Sequence, residues 1–360
     1  MASRSIASRL YRGEVSFDFV GRRKTWYALS GLIIVVALAG LLTKGLNLGL
    51  DFKGGSQFQV KTVASVEEGR AAAAEAGITD AVVTKVGADR MQWRTSTVST
   101  EESAAIVASL AKRFNVSEAD IATETVGPTW GKEISSKAAQ GLIVFLVLVA
   151  LFLSLYFQWQ MAVAALVALV HDVLITVGIY ALSGFEVTPA TVIGVLTILG
   201  FSLYDTVVVF DKVRENTAGI ASTSRMNYSE AANLALNQTL VRSINTSVVA
   251  LLPVASILVI GVGFLGAGTL KDLSLALFIG TLAGTYSSIF VATPILAQIR
   301  EREPQMVALA KRVAARRSSR GEEAPSGTSN VATVAADAST SVRQVGGRQQ
   351  PKRNVPRRKR

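Results

Sequence analysis

The chain has 360 residues, half of them hydrophobic and only 18% charged, with a formal net charge of +11. That apolar share exceeds what the core of a soluble protein of this size requires. The absence of cysteine excludes disulfides, thiolate metal sites and thiol nucleophiles, and a single histidine leaves too few ligands for a metal centre.

Residues 1–25 form a basic head containing Arg4, Arg9, Arg12, Arg22, Arg23 and Lys24. A bilayer crossing takes about 20 apolar residues, and 26–44 is the first stretch to reach that length. Ala37-Leu38-Ala39 resembles a signal-peptidase site, but the apolar run continues through Leu41 and Leu42, which predicts an uncleaved anchor.

Residues 45–136 suffice for one small domain with nearly balanced charge. Phe58 and Val60 alternate with Gln57, Gln59 and Lys61, the period of a strand. Ser65-Val66-Glu67-Glu68 reads as a capping box opening an alanine-rich helix that Gly77 ends. Strands follow over 81–86 and 91–97, joined by a turn at Gly87-Ala88-Asp89-Arg90. Thr100, with Glu101 and Glu102 behind it, starts a second helix through Phe114, and Asp120–Val126 supplies a last strand. Strand-helix-strand-strand-helix-strand is the order of a split βαβ, ferredoxin-like sandwich. With no histidine and no nucleophile–base spacing, this domain suits binding or leverage rather than catalysis.

Further spans are expected at 137–158, 160–183, 188–210, 243–262 and 271–298. The fold class is therefore a polytopic α-helical membrane protein of six transmembrane helices, with a small α+β extracytoplasmic domain between helices 1 and 2. The basic head, the 211–242 loop with Lys212, Arg214 and Arg225, and the 299–360 tail fall on one side, which the positive-inside rule makes the cytoplasm. Trp26, Tyr27, Tyr156 and Trp159 then lie in an inner aromatic belt. The tail mixes Ser, Gly, Ala, Pro and basic residues, a composition that predicts disorder and attraction to anionic lipid. It lacks the interleaved aromatics of a specific nucleic-acid reader.

Asp205 stands inside the fourth span, where a carboxylate costs about 2.5–3.5 kcal/mol to bury. The third span holds His171 and Asp172. Adjacent helix positions point about 100° apart, so both are not expected to face one partner. One lines the polar core while the other bonds a neighbouring helix, and a structural hydrogen bond and a proton relay both fit. At the membrane junctions, Asp51, Gly54 and Gly55 on one side and Gly127, Pro128 and Gly131 on the other supply unusual backbone angles, as stiff connections or hinges. Gly280 and Gly284 mark a close helix contact, with Thr285, Ser287 and Ser288 continuing a polar face that packs. Pro253 and Pro294 loosen their helices locally.

Six strings converge: Gly49–Gly55, Val126–Glu133, His171–Leu174, Phe201–Asn216, Asn237–Ser247 and Gly280–Ser288. In order and spacing, over about residues 15–300, they resemble the SecD/SecF family of protein-export membrane proteins. The chain departs from the family pattern at Tyr204, where Asn is usual, at Lys212 for Arg, and at Ser243 for Thr.

The resemblance implies a relative of the resistance-nodulation-division transporters, a non-enzymatic accessory of the Sec translocase. It implies a SecD half, the SecYEG channel, YajC and the translocating polypeptide as partners, and no cofactor besides the coupling ion, protons or alternatively Na+. By family position Asp205 carries proton passage, with Arg242 and Thr246 at the entrance of the fifth span. An Asp205–Arg242 pair would keep the carboxylate ionised until a passing proton releases the arginine. The competing readings are a small-molecule or lipid exporter of the same superfamily and a passive scaffold. An intramembrane aspartyl protease built on Asp172 and Asp205 would need a Gly-x-Gly-Asp motif that is missing there.

Overall fold

A computed structural model describes residues 16–86, 89–264 and 268–320. The expected turn residues Gly87 and Ala88, the head arginines Arg4, Arg9 and Arg12, and the tail from 321 onward lie outside them.

Six described helices are long and apolar enough to cross a membrane, spanning Arg23–Lys44, Thr129–Tyr156, Trp159–Ser183, Pro189–Thr223, Tyr228–Ile260 and Leu270–Glu301. The protein is a polytopic helical membrane protein. In chain order the elements are α1 (Arg23–Lys44), β1 (Asn47–Leu48), α2 (Leu50–Lys53), β2 (Gly55–Lys61), α3 (Val66–Glu75), β3 (Val82–Val86), β4 (Arg90–Thr95), α4 (Thr100–Phe114) and β5 (Ala122–Val126). There follow α5 (Pro128–Tyr156), α6 (Trp159–Ser183), β6 (Glu186–Val187), α7 (Pro189–Thr217), α8 (Ile220–Thr223) and α9 (Tyr228–Ser256) with a π-helical continuation, Ile257–Phe264. The last elements are α10 (Gly268–Ser287), a second π segment (Ser288–Ala292), α11 (Thr293–Glu301) and α12 (Pro304–Arg320).

Helical structure reaches beyond the spans read from hydropathy, which measures lipid-crossing length and not helix length. First, α5 begins at Pro128, inside the stretch assigned to the outer domain. Second, most of the expected 211–242 loop is helical. Asn227 caps α9 in a capping box with Glu230, and Ala231, Ala232, Ala235 and Leu236 are buried. Third, the segment expected to be a disordered tail opens with α12. Met306, Leu309 and Val313 at i, i+3 and i+7 bury one face of it. Arg317 clamps Glu230 with two hydrogen bonds of 2.6 and 2.9 Å.

Between α1 and α5 lies a four-stranded antiparallel sheet in the order β3-β4-β2-β5, with Phe58 opposite both Trp93 and Thr123. Phe58, Val60, Met91 and Trp93 form its core with Ile106 and Leu110 of α4. Trp93 Nε1 donates to the Gly69 carbonyl at 2.8 Å, drawing α3 close to the sheet.

Ser65 caps α3 and Ser99 caps α4, each in a capping box with the glutamate at N3. Hydrogen bonds from Ser65 and Ser99 hold the Glu68 and Glu102 carboxyls below the usual glutamate range. A depressed folded-state pKa means the box contributes fully above the unfolded glutamate's range and is lost as pH falls through the lowered value. Ser65→Ala and Ser99→Ala should each weaken their helix by about 1 kcal/mol at neutral pH. The check is faster amide exchange in the first turn of α3 or α4, with the difference from the parent shrinking in acid.

The membrane helices pack through small residues. A Cβ at Gly194 would lie 2.8 Å from Ala276 Cβ, Gly280 abuts Ile198, and a Cβ at Gly284 would lie 2.8 Å from Ser202 Cβ. These contacts repeat every turn along α7 and α10, bringing their backbones together. Helix α10 also packs on α6 and α9, which places it at the centre of the bundle.

The two junctions with the sheet touch each other. A Cβ at Gly131, in the first turns of α5, would lie 2.7 Å from the Phe52 carbonyl oxygen and 3.1 Å from the Gly54 nitrogen. Beside them β1 runs parallel to β6, pairing Asn47 with Glu186 and Leu48 with Val187. The Gly49 N–H extends this ladder to the Val187 carbonyl at 2.8 Å.

Candidate functional site

Two carboxylates sit in the centre of the bundle, Asp172 on α6 at 1% exposure and Asp205 on α7 at 3%. Asp172 Oδ2 accepts hydrogen bonds from Ser202 Oγ of α7 (2.6 Å) and Ser287 Oγ of α10 (2.8 Å). Asp205 Oδ1 accepts from Ser243 Oγ of α9 (2.7 Å), and its Oδ2 from Ser288 Oγ (2.7 Å). The carboxylates are thereby joined through two consecutive serines. Behind Ser243, Ser247 Oγ lies 2.8 Å from Thr285 Oγ1.

Consecutive helix positions point about 100° apart, so Ser287 and Ser288 reach different helices, and a π-helical segment begins at Ser288. A π turn widens the helix and is frequent at functional sites. Here Pro294 follows, bringing no N–H to the Phe290 carbonyl and crowding it with its ring. The widened stretch Ser288–Ala292 accommodates that loss.

His171 is buried and stacks on Tyr286, with ring centroids 5.9 Å apart and planes at 22°. The Tyr286 hydroxyl in turn lies 2.9 Å from Ser30 Oγ of α1. Asp172 reaches α7 and α10 while His171 faces Tyr286, yet the two also meet each other, Nδ1 to Oδ1, at 3.2 Å. The expectation that adjacent positions diverge is thus corrected for the side-chain tips, which bend back toward one another.

The expected Asp205–Arg242 pair is not formed. Arg242 is exposed, and its Nη2 donates to the Tyr204 hydroxyl at 3.2 Å. Tyr204 and Asp205 are consecutive on α7, as Arg242 and Ser243 are on α9. The helix rotation turns Asp205 and Ser243 inward together and leaves Tyr204 and Arg242 to meet outside. Thr246 Oγ1 closes onto the Arg242 carbonyl of its own helix at 2.8 Å and does not reach Asp205.

Ser202 and Ser247 carry no expectation of their own in the sequence, Ser243 stands out there only as a departure from the family pattern, and Ser287 and Ser288 are expected to pack. The available signal was spacing. Ser243 and Ser247, and Thr281, Thr285 and Ser288, recur at helical period within apolar helices.

Chemically, each serine hydroxyl donates to an ionised carboxylate and, by rotating, accepts from a protonated one. Both protonation states of each acid therefore find hydrogen-bond partners, with the hydroxyls turned differently in each. Among the described residues, no base and nucleophile are aligned as a triad would require.

Residues 106–302 match the family described as protein export membrane protein SecD/SecF, C-terminal, and residues 39–66 match the SecD/SecF GG motif. The chain is 51% identical to protein translocase subunit SecF of Streptomyces coelicolor, over 96% of this chain and 95% of the relative. Its identity to protein translocase subunit SecF of Mycobacterium tuberculosis is 44%, over 91% of this chain and 76% of the relative. The chain belongs to the SecD/SecF family.

The crystal structure of SecDF, a translocon-associated membrane protein from Thermus thermophilus, matches with a TM-score of 0.72 at 32% identity, over 82% of this chain and 42% of that one. SecDF in the super-membrane-facing form matches at a TM-score of 0.59 and 31% identity, over 81% and 40%. The chain thus spans about two-fifths of a SecDF chain.

In SecD/SecF terms, both buried carboxylates lie within the C-terminal match, and Asp51, Gly54 and Gly55 lie within the GG motif. Gly54 has φ +73 and Gly55 has φ +131, and a Cβ on Gly55 would lie 2.5 Å from the Thr95 carbonyl oxygen. Asp51 occupies the first turn of α2.

The second junction differs from expectation. Gly127 has an ordinary φ of −68 as the N-cap of α5, Pro128 takes the first helical position, and Gly131 is helical. Only Gly131 of these glycines needs its missing side chain, and for close approach, not for an unusual angle. Gly55→Ala should therefore cost about 1–3 kcal/mol in backbone strain alone, with Gly127→Ala within about 0.5 kcal/mol of the parent. Thermal unfolding of the two purified variants checks the contrast.

Proposed function

We propose that the chain is the SecF-type subunit of the Sec protein translocase. Joined to a SecD half and working beside the SecYEG channel, with YajC as a further partner, it uses the protonmotive force to promote late steps of polypeptide export across the cytoplasmic membrane. It is not an enzyme, and its coupling ion is the proton, with Na+ the alternative. The observation that carries this is the pair of buried carboxylates held, among the described residues, by hydroxyls and by His171, and bridged by Ser287 and Ser288.

The energies are matched in scale. Burial of a carboxylate at membrane depth costs about 2.5–3.5 kcal/mol, and 100 mV supplies about 2.3 kcal/mol per charge moved. One protonation of Asp205 is enough to redistribute the hydroxyls of α9 and α10 and shift α7 between two packings.

Tyr204, Arg242 and Asn245 are exposed on the outer faces of α7 and α9. An uncovered guanidinium on a membrane helix calls for protein or water around it, which supports this face as the one the SecD half covers. Lys212 and Arg214 lie in the last turns of α7 and Arg300 in the last turn of α11, at the ends away from the sheet domain, and Lys311 and Arg312 lie on α12. Their charge supports a cytoplasmic position for both termini, with anionic lipid drawn to the basic tail. The strand order and the two helices support a ferredoxin-like outer domain acting as the lever on the emerging polypeptide.

The exporter reading shares the carboxylates, but the translocase names of the relatives favour protein export. Cells carrying this chain as their sole copy provide the test. Depleting it should leave secreted precursors unprocessed while resistance to small toxic compounds is unchanged, whereas sensitivity with intact secretion would favour the exporter. Varying external pH and Na+ separately then assigns the coupling ion.

A further inference from the structure

Arg94 joins the sheet domain to the membrane body. Its Nη2 donates to Glu186 Oε2 at 2.5 Å, with the two side chains only 18% and 22% exposed. Arg94 lies on β4, paired with Val82 of β3 on one side and Gln57 of β2 on the other, so its backbone moves with the sheet.

Glu186 belongs to the opposite body. It opens β6, just ahead of Thr188, the N-cap of α7, and its carbonyl accepts from Thr191 Oγ1 of that helix at 3.4 Å. The same helix carries Asp205. The exit of α1 also presses on Glu186, since a Cβ at Gly49 would lie 2.9 Å from its Oε1. Lys271 and Asp272, at the start of α10, act on it electrostatically. Burial pushes the Glu186 carboxyl above its usual range, and the Arg94 guanidinium opposes that shift.

We propose that the Arg94–Glu186 pair is the positioning link through which a displacement of α7 reaches the outer domain. It rests on the reading of Asp205 as the coupling carboxylate. A shift of α7 carries Glu186 with it because Glu186 is built onto the helix cap. Arg94 then drags the sheet, because a rigid antiparallel strand cannot move one residue alone. Gly54 and Gly55, both at positive φ, make the covalent connection from α2 into β2 beside this link.

The test uses the full-length chain assembled with its partner half in vesicles, with export measured against an imposed protonmotive force. Arg94→Gln and Glu186→Gln should each assemble normally yet lose the force-dependent stimulation by on the order of tenfold, the range of a coupling free energy. The exchanged pair Arg94→Glu with Glu186→Arg should recover it. Because the chain contains no cysteine, Arg94→Cys with Glu186→Cys supplies two unique thiols. A reducible bis-thiosulfonate bridge between them should restore stimulation, and reductant should abolish it again.

Stimulation retained in both single variants, or a bridge that leaves export uncoupled, overturns the link. Asp205→Asn, measured alongside, separates the two readings. If it loses stimulation while Arg94→Gln keeps it, the link alone fails. If Asp205→Asn itself keeps stimulation, the coupling reading falls and takes the link with it.

Discussion

Asp205→Asn is expected to abolish the protonmotive-force-dependent part of export while leaving the chain folded and inserted. Asparagine has nearly the shape of a protonated aspartic acid, and the Ser243 and Ser288 hydroxyls still find a carbonyl and an amide to bond. The variant is therefore held in the packing of the neutral state. One proton falling through 100 mV yields about 2.3 kcal/mol, so the stimulation it loses is bounded at on the order of fifty-fold. Pulse-labelled precursor processing in intact cells measures it. Asp205→Glu should recover part of the loss, because the acid is kept but its added methylene crowds a closed hydroxyl cage.

The second large effect is expected at Asp172. Asp172→Ala removes the acceptor for Ser202, Ser287 and the His171 ring at once. Each buried polar group left unpaired costs about 1–3 kcal/mol, so this variant should unfold at clearly lower temperature. Asp172→Asn separates chemistry from packing, since its carbonyl still accepts from both serines while the charge is lost and an amide NH2, a donor only, faces His171 Nδ1. Combined with Asp205→Asn, its export defect should fall well short of the sum of the two. Both acids hang from consecutive serines, Ser287 at the end of α10 and Ser288 at the start of the π segment, and groups in one hydrogen-bond network couple. Additive defects would mean two independent sites.

These predictions lean on contacts that sequence could only half supply. The greasy runs, the Ser65 capping box and the misplaced acids Asp172 and Asp205 are all visible as residue types in a pattern. What escaped was rotation. Arg242 attracts attention as the natural partner of a buried acid, but its neighbour Ser243 faces Asp205, because the register of α9 against α7 decides which of two consecutive residues turns inward. No property of one helix alone contains that register.

Ser287 and Ser288 escaped for a related reason. Two consecutive serines point about 100° apart and so can serve acids on two helices, but which helices stand at those angles is a property of the packed bundle. The extents of α5, α9 and α12 escaped because hydropathy sees lipid and not helix. Met306, Leu309 and Val313 bury a stripe too short to register against the basic residues around it.

The claim on which the account turns is that Asp205 takes up and gives back a proton. Difference infrared spectra of the purified chain with its partner half, recorded as pH is stepped, follow the carboxylic C=O band directly. A protonated-carboxyl band should appear reversibly over the pH range in which export is force-dependent and be absent in Asp205→Asn. A band of the same size in Asp205→Asn, or an Asp205 carboxyl unchanged throughout that range, would contradict it.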